Sequence, residues 1–142
     1  MIQFNNVPKW LPGTMVSTNL WLQTICEERD CMIANLVYNF VDDKDILRIN
    51  QDHLQHDYTT DIITFQYGKV PRISGEVFIS VDTVKDNAVY MGVAREEELV
   101  RVMAHGLLHL IGFNDGTEEE KGVMRLEEEK CLFLHAKILK NK

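Results

Sequence analysis

Ala104-His105-Gly106-Leu107-Leu108-His109-Leu110-Ile111-Gly112-Phe113-Asn114-Asp115 joins ligand chemistry to a backbone that can gather the ligands. Read as helix, His105 and His109 stand one turn apart and present their imidazoles from one face. A small divalent ion requires that arrangement, with metal–nitrogen distances of about 2.0–2.1 Å. Gly112 falls where the helix ends, because glycine tolerates the left-handed backbone that stops a helix and turns the chain. The residues after it return Asp115 toward the two histidines. Three protein ligands with an open fourth position form the pattern of catalytic rather than structural zinc. Two histidines and a carboxylate suit other divalent metals as well, iron(II) among them. The alternative for Asp115 is a surface place in an Asn-Asp-Gly turn.

The spacing His-x3-His-x2-Gly-x2-ligand resembles the zinc helix of the long-motif metalloproteases, with one difference. Those proteases carry a glutamate as general base directly after the first histidine. Gly106 stands there instead, so peptide hydrolysis by that route is not expected. The missing side chain is expected to leave room beside the ion for a bulky substrate.

The 142 residues fit a single domain, 1–142, large enough to bury roughly two-thirds of its unfolded surface. Cys26, Cys31 and Cys131 are an odd number without a Cys-x-x-Cys pair and read as buried free thiols in a reducing compartment. The opening Met1–Asn6 lacks the basic start and long apolar run of a signal peptide, and no run is long enough to span a bilayer. The expectation is a soluble cytoplasmic protein with no membrane partner. A net charge of −7 argues against a protein that coats nucleic acid, though not against a local basic groove. The acidic runs Glu96–Glu98, Glu118–Glu120 and Glu127–Glu129 read as solvated helix faces.

In chain order, Ile2–Val7 is expected as an opening strand and Pro8–Gly13 as a turn. Thr14 or Ser17 caps a helix to about Arg29, and Met32–Val41 reads as a buried strand. Asp42 or Asp43 caps a helix that fades around His56. Strands Asp61–Tyr67 and Gly75–Ser80 flank a loop marked by Gly68, Pro71 and Ser74. Ser80 or Asp82 caps a helix to Met91 that ends at Gly92. The histidine helix runs from Ala94 or Arg95 to Ile111. Thr117 and Glu120 form a capping box for a last helix to about Leu139. These elements make an α+β fold: a small mixed four-stranded sheet packed with about five helices.

Asp61 opens its strand either as an ordinary turn residue or as an acceptor that orients a neighbour or a metal-bound histidine. His53 and His56 are either surface histidines or groups that reach the site as acid–base or phosphate donors. His135 reads as packing.

Asn50 with Asp57, Thr60-Asp61-Ile62-Ile63-Thr64-Phe65, Gly75-Glu76-Val77-Phe78-Ile79-Ser80 and His105-Gly106-x-Leu108-His109-Leu110-x-Gly112-Phe113 occur in the order and spacing of the YbeY family. The resemblance spans roughly residues 34–130. It implies an α+β domain, one zinc ion on three histidines, and metal-dependent cleavage of single-stranded RNA. Maturation of ribosomal RNA at the 3′ end of the small-subunit RNA and ribosome quality control are implied with it, which makes rRNA and the small ribosomal subunit the expected partners. Two positions depart from the family pattern. Asp115 replaces the third histidine, leaving His105, His109 and Asp115 as the expected ligands of the ion, Zn2+ or another divalent metal. Leu54 replaces an arginine four residues after the asparagine, so His56 or a cation such as Arg72 is left to face phosphate. His56 and Asp61 are accordingly the expected catalytic residues, with an RNA groove between the Thr60 turn and the Lys69–Arg72 loop. The competing readings are a ribosome-assembly factor with a mainly structural metal and marginal nuclease activity, and a small-molecule metallohydrolase.

Overall fold

The computed structural model describes residues 1–54 and 60–141. Four strands, β1 (Ile2–Asn5), β2 (Met32–Val41), β3 (Ile62–Gly68) and β4 (Arg72–Ser80), form one sheet in the order β1-β2-β4-β3. β1 and β2 are parallel, as are β2 and β4, while β3 and β4 form an antiparallel pair. Alternation decides which face of the sheet is covered. Leu36, Tyr38 and Phe40 of β2 and Ile73, Val77 and Ile79 of β4 point into the core. Phe65, Glu76 and Phe78 lie on the other face, where the two phenyl rings meet edge to face at 5.9 Å.

Five α-helices pack with this sheet: α1 (Met15–Glu27), α2 (Asp43–Ile49), α3 (Val81–Met91), α4 (Arg95–Ile111) and α5 (Glu118–Lys140). Their starts are set by side chains that satisfy free backbone donors. Asp42 accepts from the Asp45 amide, Ser80 from that of Thr83, and Thr117 and Glu120 close a reciprocal capping box on α5. Gly92, at φ +71, ends α3. α1 is tied to α5 by the Trp21 indole N–H, which donates to the Cys131 carbonyl at 2.8 Å.

α4 is the central element. Leu99, Val102, Met103, Leu107, Leu108 and Leu110 are all buried, so the helix is apolar over more than one face, as befits a helix enclosed by protein. One face meets β3 and β4 and another meets α5. Each fully buried leucine contributes about 1.5–3 kcal/mol over its exposed state. The approach to the sheet is close because two facing positions have no side chain. A Cβ on Gly106 would lie 2.8 Å from Ile62 Cδ1 and 3.1 Å from Val77 Cγ1, and one on Gly75 would lie 2.7 Å from the Leu110 methyls and 2.9 Å from the Phe65 carbonyl oxygen. Gly106 therefore serves helix–sheet packing: the position its side chain would take faces β3 and β4 and is filled by Ile62 and Val77, so it does not open the room beside an ion that was expected.

Several boundaries differ from the sequence expectation for definite reasons. β1 stops at Asn5 because Asn6 takes φ +59. β4 begins at Arg72 rather than Gly75, since Arg72 and Ile73 pair with Met32 and Ile33 of β2. The loop between β3 and β4 shrinks correspondingly. After Ile49 the α-helix gives way to a π-helical turn, Asn50–Leu54, with Asn50 buried. The acidic runs are not uniformly solvated: Glu98 is 1% exposed and Glu128 6%. Cys26, Cys31 and Cys131 are free and buried, and burial pushes the Cys131 thiol up to about 11. His135 packs edge-on against Trp21 at 4.8 Å, and its burial lowers its pKa.

Gly75→Ala has backbone as well as side chain in its way and should cost about 1–3 kcal/mol, read as a lower urea midpoint. Gly122→Ala, in α5 with nothing within 4 Å of the added methyl, should instead stabilise the fold by up to about 1 kcal/mol, read as a higher midpoint. Equal effects at both sites would contradict the close approach of α4 to β4.

Candidate metal centre

Three side chains meet where α4 ends. His105 Nε2 and His109 Nε2 lie 3.0 Å apart, and Asp115 Oδ2 is 3.3 Å from the first and 3.4 Å from the second. The local chain path explains the meeting. One helical turn separates the histidines, Gly112 takes φ +125, and the Phe113 amide closes back on the Leu108 carbonyl at 3.0 Å. The chain so reversed carries Asp115 to the two imidazoles. Donors about 2.0–2.1 Å from a tetrahedral centre stand roughly 3.3 Å from one another, so three atoms at these separations fit a single small divalent ion. The group can hold a metal.

The protonation pattern suits that role. His105 Nδ1 donates to Glu128 Oε2 at 2.5 Å, which leaves Nε2 with its lone pair toward the cluster. For His109, burial first and the neighbouring His105 second pull the pKa below its ordinary value, against the opposing pull of Asp115. Its ring is neutral at pH 7. Burial alone would raise the Glu128 pKa, but the hydrogen bond from His105 and the charge of Arg101 outweigh it and hold the carboxyl below its usual value.

Arg101 completes the support. Its Nε and Nη2 donate to the two oxygens of Glu98 at 2.8 and 2.6 Å, and its Nη1 donates to Glu128 Oε1 at 3.0 Å. Glu98, Arg101, Glu128 and His105 thus form a continuous chain from the interior of α4, across α5, to the cluster. Asp61, at the start of β3, sits at the edge of this chain with Oδ2 4.0 Å from Arg101 Nη2. It hydrogen-bonds neither histidine, and the acceptor for His105 is Glu128. Arg72 turns to Met32 Sδ at 3.8 Å. His56 and Asp57 lie outside the described residues.

Sequence reasoning missed Glu98, Arg101 and Glu128 because it read the acidic runs as single solvated faces. Their spacing carried a signal. Glu128 shares the inward stripe of α5 with Met124, Cys131 and His135, and a carboxylate on such a stripe needs a cation beside it. An open cleft of about 270 Å³ lies against the cluster, lined by Arg101, Lys121 and Arg125 together with His105, Asp115 and Glu128. The cations lining this cleft come from α4 and α5.

A mixed sheet backed by a buried helix that presents two histidines, with a carboxylate returned by the next loop, defines a small α+β domain built around a candidate single-ion site. Residues 14–135 match the family described as Endoribonuclease YbeY. A protein of that name from Cytophaga hutchinsonii is 48% identical over 115 residues, 80% of each chain. Another from Bacteroides thetaiotaomicron is 43% identical over 115 residues, 81% of this chain and 84% of the relative. The solution structure of a Thermotoga maritima protein superposes with a TM-score of 0.66 at 25% identity, covering 95% of this chain and 89% of the other. The chain belongs to the YbeY family.

Glu128→Gln keeps the shape of the side chain but removes the charge that orients His105. It should weaken zinc binding about 10–100-fold, measured by competition with a chromophoric chelator. Affinity equal to wild type would show that Glu128 does not govern the donor nitrogen.

Proposed function

We propose that the chain, residues 1–142 acting as one domain, is a metal-dependent endoribonuclease that cleaves single-stranded RNA. The observation that carries this reading is the His105–His109–Asp115 donor group opening onto a cleft with cationic walls, in a chain whose relatives bear the name endoribonuclease. Its proposed setting is maturation of the 3′ end of small-subunit rRNA and ribosome quality control in the cytoplasm, with the small ribosomal subunit as partner. Among the described residues no helix is long and apolar enough to cross a membrane.

The proposed ligands are His105, His109 and Asp115, and the proposed ion is zinc. A divalent ion held there supplies a Lewis acid for the phosphodiester and lowers the pKa of water toward about 7. The protein's own contribution is positional. Glu128 fixes the tautomer of His105, and His109 is kept neutral by burial. Asp115, 43% exposed, leaves the group open to solvent and substrate. Gly106 offers no carboxylate beside His105, so the proton must be handled elsewhere. We assign that role to His56, and we assign Asp61 an orienting role exerted through Arg101.

Leu54, in the place where the family carries an arginine, favours a second reading, in which the ion mainly supports the fold and the chain assists ribosome assembly. The two are separated by comparing wild type, His109→Ala and Asp115→Ala on a single-stranded RNA, with metal content measured alongside. Loss of a ligand exceeds loss of its support, so His109→Ala should cut cleavage by more than about 100-fold, and a chelator should abolish wild-type cleavage. Metal-loaded wild type that leaves RNA intact, or cleavage that survives the chelator, would overturn the nuclease reading.

A further inference from the structure

Three cations line the cleft beside the metal centre, in a chain whose net charge is −7. They are not equivalent. Arg101 has three donors committed to Glu98 and Glu128, so its charge is already matched by two buried carboxylates. Lys121 and Arg125 are exposed on α5, one helical turn apart and therefore on one face. The ammonium of Lys121 is 3.5 Å from Glu118, whose side chain is 95% exposed, and such a pair holds weakly in water. Arg125 forms no ion pair among the described residues.

Apart from Glu118, the acids around the cleft are committed elsewhere. Glu120 returns to the Thr117 amide at 3.0 Å, Glu128 is held by His105 and Arg101, and Asp115 faces the histidines. The cleft thus presents Arg125 without an ion pair and Lys121 held only by an exposed one, against lining carboxylates that are already engaged. Asp115 makes them necessary. Two neutral imidazoles and one carboxylate leave a divalent centre one charge less positive than three imidazoles would, so the centre itself attracts a polyanion less strongly.

We propose that Lys121 and Arg125 form a phosphate-binding subsite on α5 that holds the backbone of single-stranded RNA against the metal centre. The proposal rests on the reading of this chain as an RNA nuclease. Arg125 offers two parallel N–H donors to a pair of phosphate oxygens, and Lys121 acts as a point charge beside it. Such contacts set the position of the strand without reading its bases.

The test compares metal-loaded wild type, K121Q/R125Q and K137Q/K140Q, the last removing equal charge from the far end of α5. Binding of a 2′-O-methyl single-stranded RNA is followed by fluorescence anisotropy across a salt series, with metal content measured for each protein. At about 0.1 M salt K121Q/R125Q should bind roughly tenfold more weakly, and its slope of log K against log salt should be shallower by about 1.4. Its metal content should match wild type, and K137Q/K140Q should keep the wild-type slope. If K121Q/R125Q keeps that slope, or if both double variants lose it equally, the subsite is refuted. Cleavage of unmodified RNA by wild type is scored separately and decides the nuclease reading alone, because the salt slope does not depend on turnover.

Discussion

The hydrogen bond from His105 Nδ1 to Glu128 joins the architecture to the chemistry. Viewed from the site, it selects the nitrogen that faces His109 and Asp115. Viewed from the fold, it satisfies a carboxylate that is almost wholly buried between two helices. Removing one partner of such a group leaves an uncompensated interior charge that costs about 3–5 kcal/mol. Arg101 is bound by the same logic, since its guanidinium is matched by Glu98 on one side and Glu128 on the other. α4 and α5 cannot part without stranding these charges, so the interface that builds the core also holds the candidate donor group in register.

The other half of the constraint is apolar. α4 approaches β3 and β4 closely because Gly106 and Gly75 place backbone where side chains would otherwise stand. A glycine inside a helix costs about 1 kcal/mol against alanine. Here the cost is offset by the packing of Leu107, Leu110, Val77 and Ile62 around the gap, and by the Tyr38 hydroxyl, which donates to the Met103 carbonyl at 2.8 Å. His105 is adjacent to one of these glycines in sequence yet points to the opposite neighbour, α5. A helix turns by about 100° per residue, which is how consecutive positions serve the sheet and the site separately.

Much of this was legible in the sequence because it is local. The caps at Asp42, Ser80 and Thr117, the stop at Gly112 and the one-turn spacing of His105 and His109 all act within a few residues, and propensity and periodicity report such short-range physics well. What escaped was set by distant partners. β4 starts three residues early because β2 is there to pair with it, and which neighbour Asp61 meets, Arg101, is set by how the sheet edge lies against α4. Glu98 and Glu128 were hidden by their acidic neighbours, since composition averages over a helix circumference that burial divides sharply. The inward stripe of Met124, Glu128, Cys131 and His135 was the available clue.

Charge is the thread that links the departures from the family pattern. In the proposed reading, Asp115 as third ligand would make the centre less positive, and Leu54 carries no charge where the family resemblance implies an arginine. Both changes act against holding a phosphodiester. Both can be offset by Lys121 and Arg125, which enter the same cleft from α5, a helix already fixed to the site through Glu128. A cation on that helix is positioned by the contact that orients His105. Arg101 ties the two helices that frame the cleft, paired with Glu98 within α4 and with Glu128 on α5, so Lys121 and Arg125 stand on a helix fixed to the donor group.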